Sequence, residues 1–183
     1  GKGRAMNDGV RKAHELGLTH VFQIDSDGQH DEDRVPFFLE ESKKHPEAII
    51  CGYPEYDSSV PARCRNGRKI ANVWAIIVSW NTKIRDSLCG FRIYPVEPYY
   101  ELLEKKVFLD GRMGYDTDIL VRMAWKGVQI YSYPVHVTYP ADGISNFRIG
   151  RDNIHIAFTY TRLCAGMFLH IPLFIYRAVK RGY

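Results

Sequence analysis

Apolar positions recur along this chain with two alternating periods. Ala5, Met6, Val10, Ala13 and Leu16 repeat at helical spacing and Gly17 offers a stop, which predicts a helix over 4–16. Residues 19–24 read as a buried strand, ending in the turn composition Asp25-Ser26-Asp27-Gly28. A helix is predicted over 32–44, its acidic first turn suiting the helix dipole. A short strand follows at 48–51, then a Pro-, Tyr- and Ser-rich loop over 52–62. Ile70, Val73, Trp74, Ile77 and Val78 return to helical spacing. A further helix is predicted over 115–126, closed by Gly127, and residues 128–137 alternate as a strand. The order helix, strand, helix, strand, helix, helix, strand predicts an α/β domain with a largely parallel sheet.

The last segment has a different character. Residues 163–176 carry no Asp, Glu, Lys or Arg, with Arg162 before them and Arg177, Lys180 and Arg181 after. The stretch is too short to span a bilayer and is interrupted by His170 and Pro172, where a kink or helix end is expected. An apolar stripe through Ile156, Tyr160, Leu163, Met167, Phe168, Ile171 and Phe174, with basic ends, suits an amphipathic helix lying among lipid headgroups. Packing against the domain or a partner explains the same stripe equally well. The expected division is therefore a domain over 1–149 and a helical segment over 150–183.

Composition narrows the class. The 183 residues are 45% apolar and 25% charged, enough to bury a core and unlike a disordered chain. A net charge of +4, with acids and bases mixed until the last third, gives no reason to expect a nucleic-acid partner. Cys51, Cys64, Cys89 and Cys164 have no close Cys-x-x-Cys spacing, so reduced thiols in a cytosolic setting are expected. The chain opens in a helical pattern with no signal peptide, as if starting inside a domain whose opening strand precedes it.

Asp25 and Asp27 carry the strongest chemical signal. Two carboxylates one residue apart, placed where a strand ends, can converge on a hard cation such as Mg²⁺ or Mn²⁺. An ordinary solvated turn also explains an Asp-x-Asp triplet, but Gly28 permits a tight turn and Gln29, His30 and Asp31 add polar groups at once. A haloacid-dehalogenase-like phosphatase also ends a strand in Asp-x-Asp-Gly, with the first Asp as nucleophile; Gln29 stands where that family has Thr or Val. Residues 86–94 gather an acid, a small residue, an aromatic and Arg92 in what reads as one loop, suited to gripping phosphate. Asp116 and Asp118 open a helix, where they need no function, yet either can serve as a general base. His136 on the last strand is a possible metal ligand, though a lone strand histidine is more often structural. Residues 143–148 add Ser145 and Arg148 after a strand.

Together these blocks resemble family 2 glycosyltransferases, in the branch of dolichyl-phosphate mannose synthase and bacterial polyprenyl-phosphate sugar transferases. The resemblance covers nearly the whole chain. It rests on Gly1-Lys2-Gly3-Arg4-Ala5 with Gly9, on Asp25-Ser26-Asp27-Gly28-Gln29-His30, on residues 86–94, on 114–122 and on 143–148. It implies a GT-A, Rossmann-like fold lacking its first nucleotide-binding strands, and an inverting transfer from a nucleotide-diphosphate sugar to a lipid or lipid-phosphate acceptor. In that scheme Gly3, Asp25 and Asp27 bind the donor, and Asp25, Asp27 and Gln29 hold Mg²⁺ or Mn²⁺. Arg92, Ser145 and Arg148 bind phosphates, and Asp116 or Asp118 is the base. Three positions depart from the family: Cys89 stands for Ser or Gly, Asn146 for Lys, and Gly52-Tyr53 lacks the usual phosphate-binding Arg, a role open to Arg63, Arg65 or Arg68. The implied location is peripheral, on the cytoplasmic face of a membrane. A non-catalytic, membrane-associated binding module is the alternative from another class.

Overall fold

In the computed structural model, residues 1–25, 30–56, 62–112, 114–137 and 149–180 are described, the side chains of 62–64 and 149–153 excepted. Helix α1 (Lys2–Glu15) precedes strand β1 (His20–Gln23), a 3₁₀ turn (Glu32–Arg34) and helix α2 (Val35–Lys44). Strand β2 (Ile49–Tyr56), helix α3 (Ala62–Ser79), strand β3 (Arg92–Pro95) and helix α4 (Val96–Glu104) follow. Helix α5 (Tyr115–Lys126), strand β4 (Ile130–Val137) and helix α6 (Ile149–Lys180) complete the chain.

The sheet order is β1-β3-β2-β4. β3 pairs antiparallel with both β1 and β2, through Gln23 opposite Arg92 and Cys51 opposite Arg92, whereas β2 and β4 pair in parallel from Ile49–Ile130 to Tyr56–Val137. The sheet is thus mixed, which corrects the expectation of a largely parallel one. β1, β2 and β4 do run the same way; the inserted β3 reverses the pairing. Consequently the ends of β1, β2 and β4 and the start of β3 share one edge of the sheet.

Alternation along the strands separates two cores. Ile50, Phe91, Ile93 and Val135 meet Phe38 of α2 on one face. Ile49, Cys51 and Tyr94 meet residues of α4 and α5 on the other. Helix α5 is nearly enclosed, with ten of its 12 residues buried, and it ends at Gly127, whose φ of 92° needs a residue without Cβ strain. β3 is buried along its whole length, although residues 86–94 read as a loop in sequence.

Helix α6 runs unbroken for 32 residues with Pro172 inside it, so the expected kink or end does not interrupt the helix. Pro172 lies on the exposed face, as does Phe168, whose carbonyl loses its helix donor there. Over Ile154–Lys180 the helix is long and apolar enough to cross a membrane by length and composition, which revises the expectation that the segment is too short. Only 11% of its apolar window is buried, unlike a core helix. The burial it has is spaced along one face: Leu163 and Phe174 join the main core, Gly166 lies against the Trp125 ring, and His170 stacks on Trp125 at 4.5 Å. Helix α6 thus begins at Ile149, the boundary expected between the two segments, and packs Leu163 and Phe174 into the main core.

Candidate functional site

The site is built where β1 ends, at the edge shared by the start of β3. Gln23, the last residue of β1, donates from its buried amide to Asp116 Oδ1 at 2.8 Å. The chain reaches Asp25 two residues later. Helix α1 comes close at its first residue, and Lys2 Nζ lies 2.6 Å from Asp25 Oδ1 and 2.7 Å from Asp116 Oδ2. Two carboxylates from separate elements thus converge on one ammonium.

Glycines make this approach possible. At Gly3 a Cβ would stand 2.4 Å from the Asp110 carbonyl and 2.8 Å from the Tyr115 ring, so α1 can press against the start of α5 only with glycine there. Gly3 thereby lets α1 set Lys2 between the two acids. At Gly90 a Cβ would fall within 2.1–2.3 Å of all three Asp25 carboxylate atoms. The Asp25 side chain therefore lies directly on the backbone of the segment before β3.

That segment is held from below. Asp86 is almost fully buried, and its carboxylate accepts from the backbone N–H of Leu88 at 2.9 Å and of Cys89 at 2.6 Å. Arg68 of α3 reaches the same carboxylate at 3.1 Å and Asn72 does so at 3.2 Å. Arg92 is completely buried; it donates to the carbonyls of Asp116 at 2.7 Å and Asp86 at 3.3 Å and to Tyr94 Oη at 3.3 Å. Arg92 lies in a buried strand where a loop was expected: the guanidinium ties the backbone of α5 to the floor of the site, and among the described residues its Nε finds no partner. Burial pushes the Cys51 thiol up to about 11 and the Cys89 thiol up to about 12, so neither is a thiolate nucleophile near neutral pH.

Asp118 goes elsewhere. It is fully buried and accepts from Arg122 Nε at 2.6 Å, Arg162 Nη2 at 2.8 Å and the Asp110 N–H at 2.8 Å. Of the two candidate bases, Asp116 alone shares a cluster with Asp25. Asp118 is engaged in ion pairs that fasten α6 to α5.

The remaining candidates are distributed as follows. Asp27, Gln29, Ser145 and Arg148 lie outside the described residues, as does the side chain of Arg63. Arg68 is engaged with Asp86, and His136 is exposed on β4. Among the described residues no group of three or more His, Cys, Asp and Glu side chains is placed to hold a metal. The pair Asp25 and Asp116 nevertheless suits a hard cation in kind, since both offer carboxylate oxygens to one positively charged atom already. A broad hollow of about 1110 Å³ opens at the opposite edge, near His20, His45, Pro95 and Gln129, away from this chemistry. Sequence reading missed Lys2 and Gln23. Lys2 lay within a glycine-rich opening that drew attention to Gly3, and Gln23 reads as an ordinary strand residue.

No protein-family model matches the chain, and no curated protein matches its sequence.

Proposed function

We propose that the chain is part of a metal-dependent, inverting glycosyltransferase of the GT-A class, moving a sugar from a nucleotide-diphosphate donor to a lipid-linked acceptor at a membrane surface. The observation that carries this reading is the convergence of Asp25 and Asp116 on Lys2 at the sheet edge where β1, β2 and β4 end. The sequence resemblance to family 2 enzymes supports it independently.

Asp25 and Asp116 would hold Mg²⁺ or Mn²⁺, joined by Asp27 and Gln29 if the resemblance extends to them. The bound ion would offset charge developing on the departing nucleotide diphosphate. Lys2 brings a second positive charge to the same place, and a donor diphosphate gives it a partner in exchange for the carboxylates. Gln23 fixes the Asp116 side chain, while Arg92 and the Asp86–Arg68 pair keep the floor of the site in register. A lipid phosphate is already anionic and needs little base assistance. For a hydroxyl acceptor, Asp116 would take the proton instead of holding the ion, which would then be left to Asp25, Asp27 and Gln29.

Three features of α6 support a membrane-surface location. Its charge-free stretch lies between basic residues, its outer face is apolar, and its inner face is fastened to the domain by Arg162 and Arg177. The Phe168 carbonyl freed by Pro172 is better accommodated at a wet interface than in hydrocarbon, where an unmet carbonyl costs several kcal/mol.

The test is a screen of nucleotide-diphosphate sugars with the full-length protein and polyprenyl phosphate in vesicles, reading nucleotide release. Metal-dependent release with one donor, lost in Asp25→Asn, is expected. Nucleotide binding without release from any donor would favour the non-catalytic binding module, and release unchanged in Asp25→Asn would overturn the site.

A further inference from the structure

Helix α3 carries an apolar stripe that the fold leaves uncovered. Ala75 and Val78 face the core, whereas Ile70, Val73, Trp74 and Ile77 are all exposed, and Trp80 just beyond the helix is 54% exposed. The spacing i, i+3, i+4, i+7 places these four on one side of the helix. Four large apolar side chains aligned on the surface of one helix mark an interaction face rather than scattered exposure.

This stripe has a neighbour of the same kind. Tyr160 of α6 donates to the Ala71 carbonyl at 2.8 Å, and Phe174 stacks on Trp80 at 5.3 Å. Both contacts advance together in sequence, so α3 and α6 lie side by side. On α6, Phe158, Phe168, Leu169, Ile175 and Val179 are exposed, Leu169 at 82%.

We propose that α3 and α6 form one composite docking face for an anionic lipid surface, with the α3 stripe entering the headgroup region beside α6. Charge selects this occupant. Between Ala62 and Ser79, α3 has no Asp or Glu while Arg65 and Lys69 are exposed, and α6 ends on the exposed Lys180. Each such cation near anionic headgroups gains about 1 kcal/mol. A second copy of the chain would instead bring two basic faces together. The aromatic residues fit as well: Trp74, Trp80 and Tyr176 are half-exposed rings of the sort that settle at the interfacial level. Because Arg68 of this same α3 grips Asp86 below Gly90, the docking face and the floor of the site share a helix. The proposal rests on the membrane-surface part of the reading above and not on its chemistry, so vesicle binding and nucleotide release can fail separately.

The chain's three tryptophans provide the test. Trp74 and Trp80 belong to the proposed face, and Trp125 is buried and serves as the internal reference. With phosphatidylglycerol vesicles whose acyl chains are brominated, the full chain is expected to lose tryptophan emission. A Trp74→Phe/Trp80→Phe variant, left with Trp125, is expected to bind without quenching. An Ile70→Asn/Ile77→Asn variant, its fold checked by circular dichroism, is expected to bind about tenfold more weakly while α6 is untouched. Undiminished binding of that variant, absence of quenching in the wild-type chain, or a concentration-dependent dimer in sedimentation without vesicle binding would each overturn the proposal.

Discussion

Asp116 and Asp118 stand two residues apart in the first turn of α5, about 200° apart around the helix. The sequence presents them as equivalent helix-start acids. The fold gives them different partners. Asp116 faces the sheet edge, where its partners are the Gln23 amide and the Lys2 ammonium, whose side chain is 31% exposed. Asp118 faces α6, where two guanidiniums and a backbone N–H take up its oxygens in a fully buried setting. A carboxylate is poised for chemistry when its partners can be exchanged for a ligand. One locked among arginines serves packing.

Removing the locked acid should produce the largest change. Asp118→Ala leaves Arg122 and Arg162 facing a buried void, and breaking such a pair costs about 3–5 kcal/mol. Urea denaturation is expected to show that loss. A change below about 1 kcal/mol, the range of a surface ion pair, would mean that the Asp118 face is not the anchor described.

On the other face the sharpest probe is a methyl group. Gly90→Ala sets a Cβ into the space of the Asp25 carboxylate and must displace it. Metal-dependent nucleotide affinity is expected to fall about 100-fold, the scale of an ångström-sized misplacement in a site, with a much smaller effect on urea denaturation. Unchanged affinity would show that the position of Asp25 is irrelevant to binding.

Much of this was readable from residue order. Periodicity and Gly127 mark α5 as Tyr115–Lys126, and β-branched alternation marks β4. The acidic strand end at Asp25 and the Gly90-Phe91-Arg92 block fall at one edge of the sheet. Other features depended on contacts that no local pattern carries. β3 is four residues long and begins with a buried arginine, so it reads as a loop. Its reversal of the sheet is invisible without knowing its neighbours. Helix α4 hides behind Pro98, which lies in its first turn, where the missing N–H costs nothing. The difference between Asp116 and Asp118 is set by Lys2, Gln23 and Arg162, residues distant in sequence whose proximity only tertiary packing creates.

Isothermal titration of nucleoside diphosphates with and without Mn²⁺, on the wild-type chain, Asp116→Asn and Asp118→Asn, tests the central claim most directly. Each variant is measured at a temperature where circular dichroism shows it folded. Mn²⁺ is expected to strengthen binding to the wild-type chain and to Asp118→Asn, and to give no gain in Asp116→Asn. No gain in the wild-type chain, or a gain kept in Asp116→Asn and lost in Asp118→Asn, would contradict the assignment of the Asp25–Asp116 cluster as the donor site.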